Sequence, residues 1–402
     1  MNTALQQRIM QGEMTTTEVV NAIVESAYAA HASDVHIDPE AARVRVRMRV
    51  DGILHDTLAL PKAMHQEMIS RIKVLAGLRS DEHASAQDGR FRLSIPESED
   101  IDLRVSITPT YHGENAALRL LTQQSQAFTL ASLGFSPAQS ATIDRALHRP
   151  YGMLLATGPN GSGKTTTLYT LIKMLNAPEV SILTIEDPIE YAVDGINQIQ
   201  INPSTGLTFA SGLRSILRQD PNVVMVGEIR DQETASIATN AALTGHILLS
   251  TLHTNDAATA IPRLLDLQVE PFLIASTVNV IVGQRLVRKV CPSCKEHKKI
   301  TSEDLASLRR VLPLTMVHGT SDFFVGRGCD SCAGSGYQGR MGIYEVLEIT
   351  EPLRQAIMQR ANASDIKELA MQDGMIPMTS DGFQKALSGL TTIEEILRAV
   401  HE

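Results

Sequence analysis

Directly after the apolar run Tyr151–Thr157 the chain reads GPNGSGKT, a glycine at 158, four residues, a second glycine at 163, then Lys164 and Thr165. This is the spacing of a P-loop. A strand that ends in a glycine-rich turn leaves several backbone N–H groups pointing inward, and the following helix adds the positive end of its dipole. Together they cradle phosphate oxygens. Gly158, Pro159, Asn160, Gly161, Ser162 and Gly163 form the expected cradle. Lys164 is placed to reach the β- and γ-phosphates of a nucleotide, Thr165 to put its hydroxyl on Mg²⁺, and Thr166 to open the amphipathic segment Thr166–Leu175 and close the nucleotide-binding run. The alternative, an ordinary glycine turn, lacks a reason for the strand before it and the helix pattern after it.

A chain of 402 residues is too long for one simple core and implies two or three domains. No stretch approaches the ~20 apolar residues that cross a bilayer. The start, MNTALQQRIMQGEM, has no basic end leading into an apolar core, so no secretory signal is evident and a cytosolic chain is expected. A net charge of -9 argues against a nucleic-acid coat or a membrane-adsorbing surface, while leaving room for a local basic patch.

The first part of the chain reads as a small α+β domain. Val20, Ile23, Val24, Ala27 and Tyr28 recur at helical spacing behind capping threonines. Arg43–Val50 alternates strictly, valines and Met48 on one face, Arg43, Arg45, Arg47 and Arg49 on the other, before the hairpin turn Asp51-Gly52. A second amphipathic helix fits Lys62–Leu78, and strands fit Phe91–Ile95 and Ile101–Ile107. The four-arginine face has three readings: a solvated surface, a contact with an acidic neighbouring subunit, or a grip on nucleic acid. A polar stretch, Thr122–Ser140, then bridges to the P-loop domain. There, strands at Ser181–Ile185, Val223–Val226 and His246–Thr251 alternate with helices at Phe209–Arg218, Glu233–Leu243 and Ala257–Leu267. Alternation of this kind implies a mainly parallel sheet with active groups at its carboxyl ends. Glu351–Gln359, Ala363–Gln372 and Ile393–Val400 read as short surface helices.

Three further clusters carry chemistry. LTIEDPIEY, Leu183–Tyr191, ends a strand with Glu186 and Asp187 and breaks at Pro188. Carboxylates there can hold Mg²⁺ or orient a water. Val223–Val226 runs into Gly227 and Glu228, a Walker B-like strand with glycine where aspartate is usual. His246 and His253 bracket the third strand. His253 is placed either to sense the γ-phosphate or to hydrogen-bond a catalytic carboxylate, and a purely structural histidine is the alternative. Apart from these, Cys291, Cys294, Cys329 and Cys332 form CPSC and CDSC pairs, the ligand set of a closed tetrahedral structural Zn²⁺ site. Free thiols or a redox pair are the alternative.

GPNGSGKTTTLY, TIEDPIEY, LRQDPNVVMVGEIRD and LTGHILLSTLHTND, followed by the two CxxC pairs, resemble the type II secretion and type IV pilus assembly ATPase family. The match runs from about Ser33 to the C-terminus. It implies an α/β chain with a RecA-like P-loop NTPase domain and mainly parallel sheet, preceded by a small α+β domain and carrying a four-cysteine zinc insertion. The expected division is residues 1–122 as an α+β domain docking over the nucleotide, 123–142 a linker, 143–290 the ATPase core, 291–340 the zinc-binding subdomain and 341–402 a C-terminal helical subdomain.

In function the resemblance implies a cytoplasmic homo-hexamer that hydrolyses ATP and drives an inner-membrane platform protein, to which it attaches peripherally, with a cytoplasmic-face adaptor as a further partner. Glu186 matches the aspartate box, Glu228 the Walker B acid, and His246 and His253 the histidine box. Which glutamate activates water and which supports the metal is left open, Glu228 being favoured for the essential role. ASDVHI, RVRMRVDG, QDGRF and DLRVSITPTYHGENAALRLL resemble the family's N-terminal domain. Arg104 and Arg119 fall where that family supplies arginines to ATP, and Arg90 is a further candidate. The chain begins almost at the helix before ASDVHI, so the extra N-terminal domain that docks many relatives to an adaptor is expected to be missing. Asn160 and Asn222 replace the usual threonine and aspartate. A pilus retraction motor and a nucleic-acid translocase or DNA-uptake ATPase are the alternative functions.

Overall fold

The computed structural model describes residues 3–95, 100–121, 128–299 and 322–401. The chain folds as two compact units, Met1–Ala127 and Phe128–Glu402.

In chain order the first unit contains α1 (Thr3–Met10), α2 (Thr16–Ala29), β1 (Ala32–Pro39), β2 (Arg43–Val50), β3 (Ile53–Pro61), α3 (His65–Leu75), β4 (Gln87–Leu93), β5 (Ile101–Thr110) and β6 (Gly113–Leu121). The strands form one antiparallel sheet in the order β3-β2-β1-β6-β5-β4. α2 starts where the sequence signals it: Thr15 accepts from Glu18 N while the Glu18 carboxylate reaches back, a capping box. Val20, Ile23, Val24 and Ala27 of α2 and Met68, Ile69 and Ile72 of α3 bury against Val35, Val44, Val46, Leu103 and Leu118 of the sheet. The period of 2 along each strand sends the polar residues to the other face.

The second unit contains α4 (Leu130–Leu133), α5 (Pro137–Leu147), β7 (Gly152–Thr157), α6 (Lys164–Leu175), β8 (Ile182–Glu186), β9 (Asn197–Gln200), α7 (Phe209–Ile216), β10 (Val223–Val226), α8 (Gln232–Leu243), β11 (Ile247–Leu252), α9 (Ala260–Asp266), α10 (Pro271–Thr277), β12 (Val278–Val290), β13 (Lys295–Lys299), β14 (Asp322–Gly326), β15 (Tyr337–Glu348), α11 (Glu351–Met358), α12 (Ala363–Gln372), α13 (Met378–Leu387) and α14 (Ile393–His401). Its main sheet has the order β15-β12-β7-β11-β10-β8-β9, parallel throughout except for the edge strand β15. Helices cover both faces, which is why β7, β10 and β11 are buried at every position. β13 and β14 pair as a separate two-stranded ribbon next to the cysteines.

Two sequence expectations differ from the structure. Of the stretch read as a bridge, residues 122–127 lie outside the described residues, and Phe128 onward belongs to the second unit, where Ser136 and Gln139 form the capping box of α5. Leu130, Phe135, Ile143 and Ala146 join the core there, a role hidden by the polar residues around them. The C-terminal helices are not surface additions. Leu353, Ile357, Ile366 and Ala370 extend the main core, while Phe383 and Ile396 close a smaller one over Phe323. Residues 300–321 of the expected zinc-binding subdomain also lie outside the described residues.

Candidate functional site

Parallel register gathers the candidate groups of the second unit at one end of its sheet. Thr157 is level with Leu252, and Val226 with Ser250 and Ile185. Gly158, Glu228, Asp187 and His253 therefore emerge together where the strands end.

Gly158 has φ 150°, and a Cβ on it would sit 2.5 Å from the Gln284 carbonyl oxygen and 2.6 Å from Ser162 Oγ. Only glycine fits this approach. Gly163, at φ 88°, turns the chain into α6. Lys164 is buried and donates from Nζ to the carbonyls of Gly158 (2.8 Å) and Pro159 (2.9 Å). Burial holds its ammonium down to about 8, with the nearby Glu228 charge opposing and the Arg285 charge adding to that shift. Ser162 Oγ is buried with no hydrogen-bond partner. An orphaned hydroxyl, a buried lysine folded onto its own loop and a cradle too tight for a Cβ fit a bound phosphate chain. Thr165 is exposed at the start of α6, where a hydroxyl is free to take a metal.

The two glutamates differ sharply. Glu228 takes an ion pair from Arg230 Nη2 at 2.5 Å and a hydrogen bond from His253 Nε2 at 2.8 Å. Burial pushes its pKa up, but those two donors win and hold it below the usual carboxylate range. It is an ionised acceptor facing Lys164. Glu186 is buried and wrapped, with Thr184 Oγ1 at 2.6 Å, Gln198 Nε2 at 3.1 Å and the Tyr169 hydroxyl in a short hydrogen bond. Burial dominates and raises its pKa despite these donors. Its neighbour Asp187 is exposed, and its charge reaches Arg230.

His246 does not join this cluster. Its carbonyl accepts from Gly152 N at 3.0 Å, at the amino end of β7, and its ring Nδ1 lies 2.9 Å from the Ala241 carbonyl at the end of α8. The length of β7 separates it from the P-loop by about 20 Å at the ordinary rise per residue. The expectation that both histidines share one site is corrected by strand length: His253 is at the site, His246 at the opposite edge of the sheet.

Sequence reasoning missed Gln284 and Arg285 of β12. Gln284 Nε2 donates to the Ser162 carbonyl (2.7 Å) and its Oε1 accepts from Thr167 Oγ1 (2.9 Å), so one amide fork holds the loop and its helix together. The available signal was a Gln-Arg pair that follows the apolar Val280–Val282 and Gly283 and precedes Leu286 and Val287, since a buried strand has no ordinary use for it.

In the first unit, register places Arg90 opposite Arg104, Arg104 opposite Arg119, Arg119 opposite Asp34 and Asp34 opposite Arg49. Directly opposed residues share a face, so these side chains form one row across the sheet away from its helices. Asp34 binds Arg119 at 3.0 Å and approaches Arg49 at 3.7 Å. The strand face with four arginines is matched by the chain's own acids: Arg43 with Glu40, Arg45 with Glu40 and Asp56, Arg47 with Asp38.

The four cysteines converge. Their Sγ atoms lie within 4.8 Å of one another, with Cys291–Cys329 and Cys294–Cys332 at 3.9 Å and Cys329–Cys332 at 3.7 Å. These separations are too long for a disulfide. A tetrahedron of thiolates about a metal at ~2.3 Å has edges of about 3.8 Å, which matches.

Residues 10–398 match the family of type II/IV secretion system proteins. The chain belongs to that family. Type II/IV secretion system proteins similar to it include the type II secretion system protein E of Xanthomonas campestris pv. campestris, 45% identical over 98% of this chain and 69% of that one. The type IV pilus assembly ATPase PilB of Thermus thermophilus is 45% identical over 96% of this chain and 43% of its own length. The pilus retraction motor PilT, solved with bound ADP, is 26% identical with a TM-score of 0.62, covering 94% of this chain and 95% of that one. The Legionella pneumophila ATPase DotB shares the fold at a TM-score of 0.69 and 21% identity, covering 95% of each chain. Among the described residues of this family member, no helix is long and apolar enough to cross a membrane.

Proposed function

We propose that this chain is an ATP hydrolase that powers assembly of a type IV pilus or a type II secretion pseudopilus. The observation that carries the reading is the pairing of a P-loop lysine with an ionised, doubly braced Glu228 at the carboxyl end of the sheet. Gly158–Thr165 hold the phosphates of ATP and Thr165 the Mg²⁺. When bound, the metal would supply positive charge that neutralises the transferring phosphate. Lys164 leaves the Gly158 and Pro159 carbonyls for the phosphates. Glu228 accepts a hydrogen bond from the attacking water and orients it, since a carboxylate held this far below neutral pH is a weak base. His253 and Arg230 fix its two oxygens. Support for giving this role to Glu228 is that the oxygens of Glu186 already serve Tyr169, Thr184 and Gln198. Glu186 supports the P-loop helix from behind. Arg104, Arg119 and Arg90 act on the nucleotide's charge, as the family resemblance suggests.

Of the division stated from sequence, the first α+β domain, the ATPase core and the zinc-binding subdomain stand as part of this proposal, as do the homo-hexamer, the Zn²⁺ bound by the four cysteines, the cytoplasmic location, and attachment to the inner membrane through a platform protein and an adaptor. A retraction motor is the second reading, favoured by the likeness to PilT. The nucleic-acid reading loses its footing because the strand arginines are neutralised internally.

Lys164→Ala is expected to abolish nucleotide binding. Glu228→Gln is expected to bind ATP with turnover down by about a hundredfold or more. Normal hydrolysis by the Glu228→Gln protein removes that assignment. Deleting the gene in its host and scoring surface pili and exoproteins together separates the two assembly systems.

A further inference from the structure

Among the polar groups of the second unit that the mechanism above leaves unused, Arg285 is the most exposed to question. β12 outruns β7: Gly283 is the last residue paired with it, opposite Thr157, so Gln284 and Arg285 lie beside the beginning of the P-loop. The Gln284 carbonyl that crowds Gly158 also accepts from Arg285 Nη1 at 3.2 Å. The guanidinium therefore stands next to Gly158, whose own carbonyl holds Lys164 Nζ.

Arg285 is 8% exposed, and its Nε has no hydrogen-bond partner. Among the described residues it makes no ion pair. The acids behind it are engaged elsewhere. Glu345 accepts from Ala257 N at 2.7 Å and Met378 N at 3.3 Å, and Asp256 from Thr259 N at 2.9 Å and Lys367 Nζ at 3.3 Å. A buried guanidinium with five donors and one neutral bond is expensive unless something completes it. Two cations, Lys164 on the Gly158 carbonyl and Arg285 on the Gln284 carbonyl that crowds Gly158, lie close enough to raise each other's cost. Such a pair suits a polyanion.

We propose that Arg285 binds the terminal phosphate of a nucleoside triphosphate. The placement selects that end of the phosphate chain. The N–H groups at the start of α6 serve the inner phosphates and Lys164 reaches outward, while Arg285 sits at the far end of the loop, beside Gly158. This rests on the ATP-hydrolase reading and adds a γ-phosphate contact from within the same unit. Charge-assisted, forked hydrogen bonding to phosphate is the chemistry that arginine performs and lysine only approximates.

The test is equilibrium binding of a non-hydrolysable ATP analogue and of ADP, each with Mg²⁺, to the full chain and to Arg285→Gln and Arg285→Lys. Arg285→Gln is expected to weaken the triphosphate about tenfold to a hundredfold and ADP by no more than about twofold. Arg285→Lys, which keeps the charge and is the safer variant for folding, is expected to fall between, again on the triphosphate alone. Equal loss for both nucleotides, which a merely distorted loop would produce, overturns the proposal, and so does no loss for either. Failure of the unaltered chain to bind nucleotide counts instead against the ATP-hydrolase reading.

Discussion

Glu186 and Glu228 end neighbouring strands, yet burial lifts the pKa of one while Arg230 and His253 depress that of the other. The difference is set by donors: neutral hydroxyl and amide groups for Glu186, a guanidinium for Glu228. A third glutamate shows the same competition at a structural position. Glu395 of α14 is buried and binds Arg288 Nη2 at 2.5 Å, Arg288 N at 3.0 Å and Arg398 Nη2 at 2.9 Å. Burial works to raise its pKa, but these donors pull it down to about 2. A carboxyl depressed in the folded state stabilises above its unfolded value of 4.5, and the contribution fades as pH falls from there through about 2. The stabilisation is about 3 kcal/mol at neutral pH. Glu395→Gln should lower stability by about that much near pH 7, with the gap to the unaltered chain shrinking near pH 3. Urea midpoints at the two pH values decide it; a gap independent of pH removes the linkage.

At the scale of elements, the P-loop helix α6 is held from both sides. Gln284 ties Thr167 and the Ser162 carbonyl to β12, and Tyr169 ties the helix to Glu186 at the end of β8. Tyr169→Phe leaves a buried carboxylate short of one donor, so a loss of about 1–3 kcal/mol is expected. Combined with Glu186→Gln, the two changes should be non-additive by about 1 kcal/mol in a double-mutant cycle, whereas additive losses would mean that the contact contributes little. The strands of this unit were legible because each is a short apolar run ending at a polar cluster. Two of the four candidate strand-end groups, Lys164 and Glu228, could be named with a stated role from that alone. His246 was grouped with His253 by the histidine box of the resemblance, although the two bracket a six-residue strand and so stand at its opposite ends. α5 was hidden by its polar content, although Ser136, Pro137 and Gln139 spell a capping box with proline at the first turn. Gln284 and Arg285 were missed because polar residues in a strand gain meaning only once the register shows what they lie beside. The row Arg90, Arg104, Arg119 likewise depends on register, which alternation does not specify between non-adjacent segments.

Among the described residues each hydrophobic core falls within one unit, and the cysteine cluster lies in the second. Its mechanical connection to the nucleotide site is β12. From Val278 to Gly283 that strand is bonded to β7, and from Val280 to Val290 to β15. The double bonding ends at Gly283 and the pairing with β15 at Val290; Cys291 follows, and around the cysteines the segment is held by the β13–β14 ribbon and by isolated backbone contacts such as Cys291 N to the Gly336 carbonyl at 2.9 Å and Arg327 N to the Cys294 carbonyl at 3.0 Å. Four thiolates crowded this closely repel unless a cation or protons neutralise them, so metal removal should release the segment rather than leave a preformed empty site. Chelation is therefore expected to release one zinc per chain and to speed amide hydrogen exchange across residues 291–299 and 322–340. Exchange along β7 and nucleotide binding at Gly158–Thr165 should persist, because β12 keeps both its partners there. Zinc-free protein after denaturation would remove the metal from the account. A collapse of nucleotide binding on chelation would show instead that β12 carries the state of the cysteine cluster to Gln284 and Arg285, which the pairing of both residues with β15 is expected to prevent.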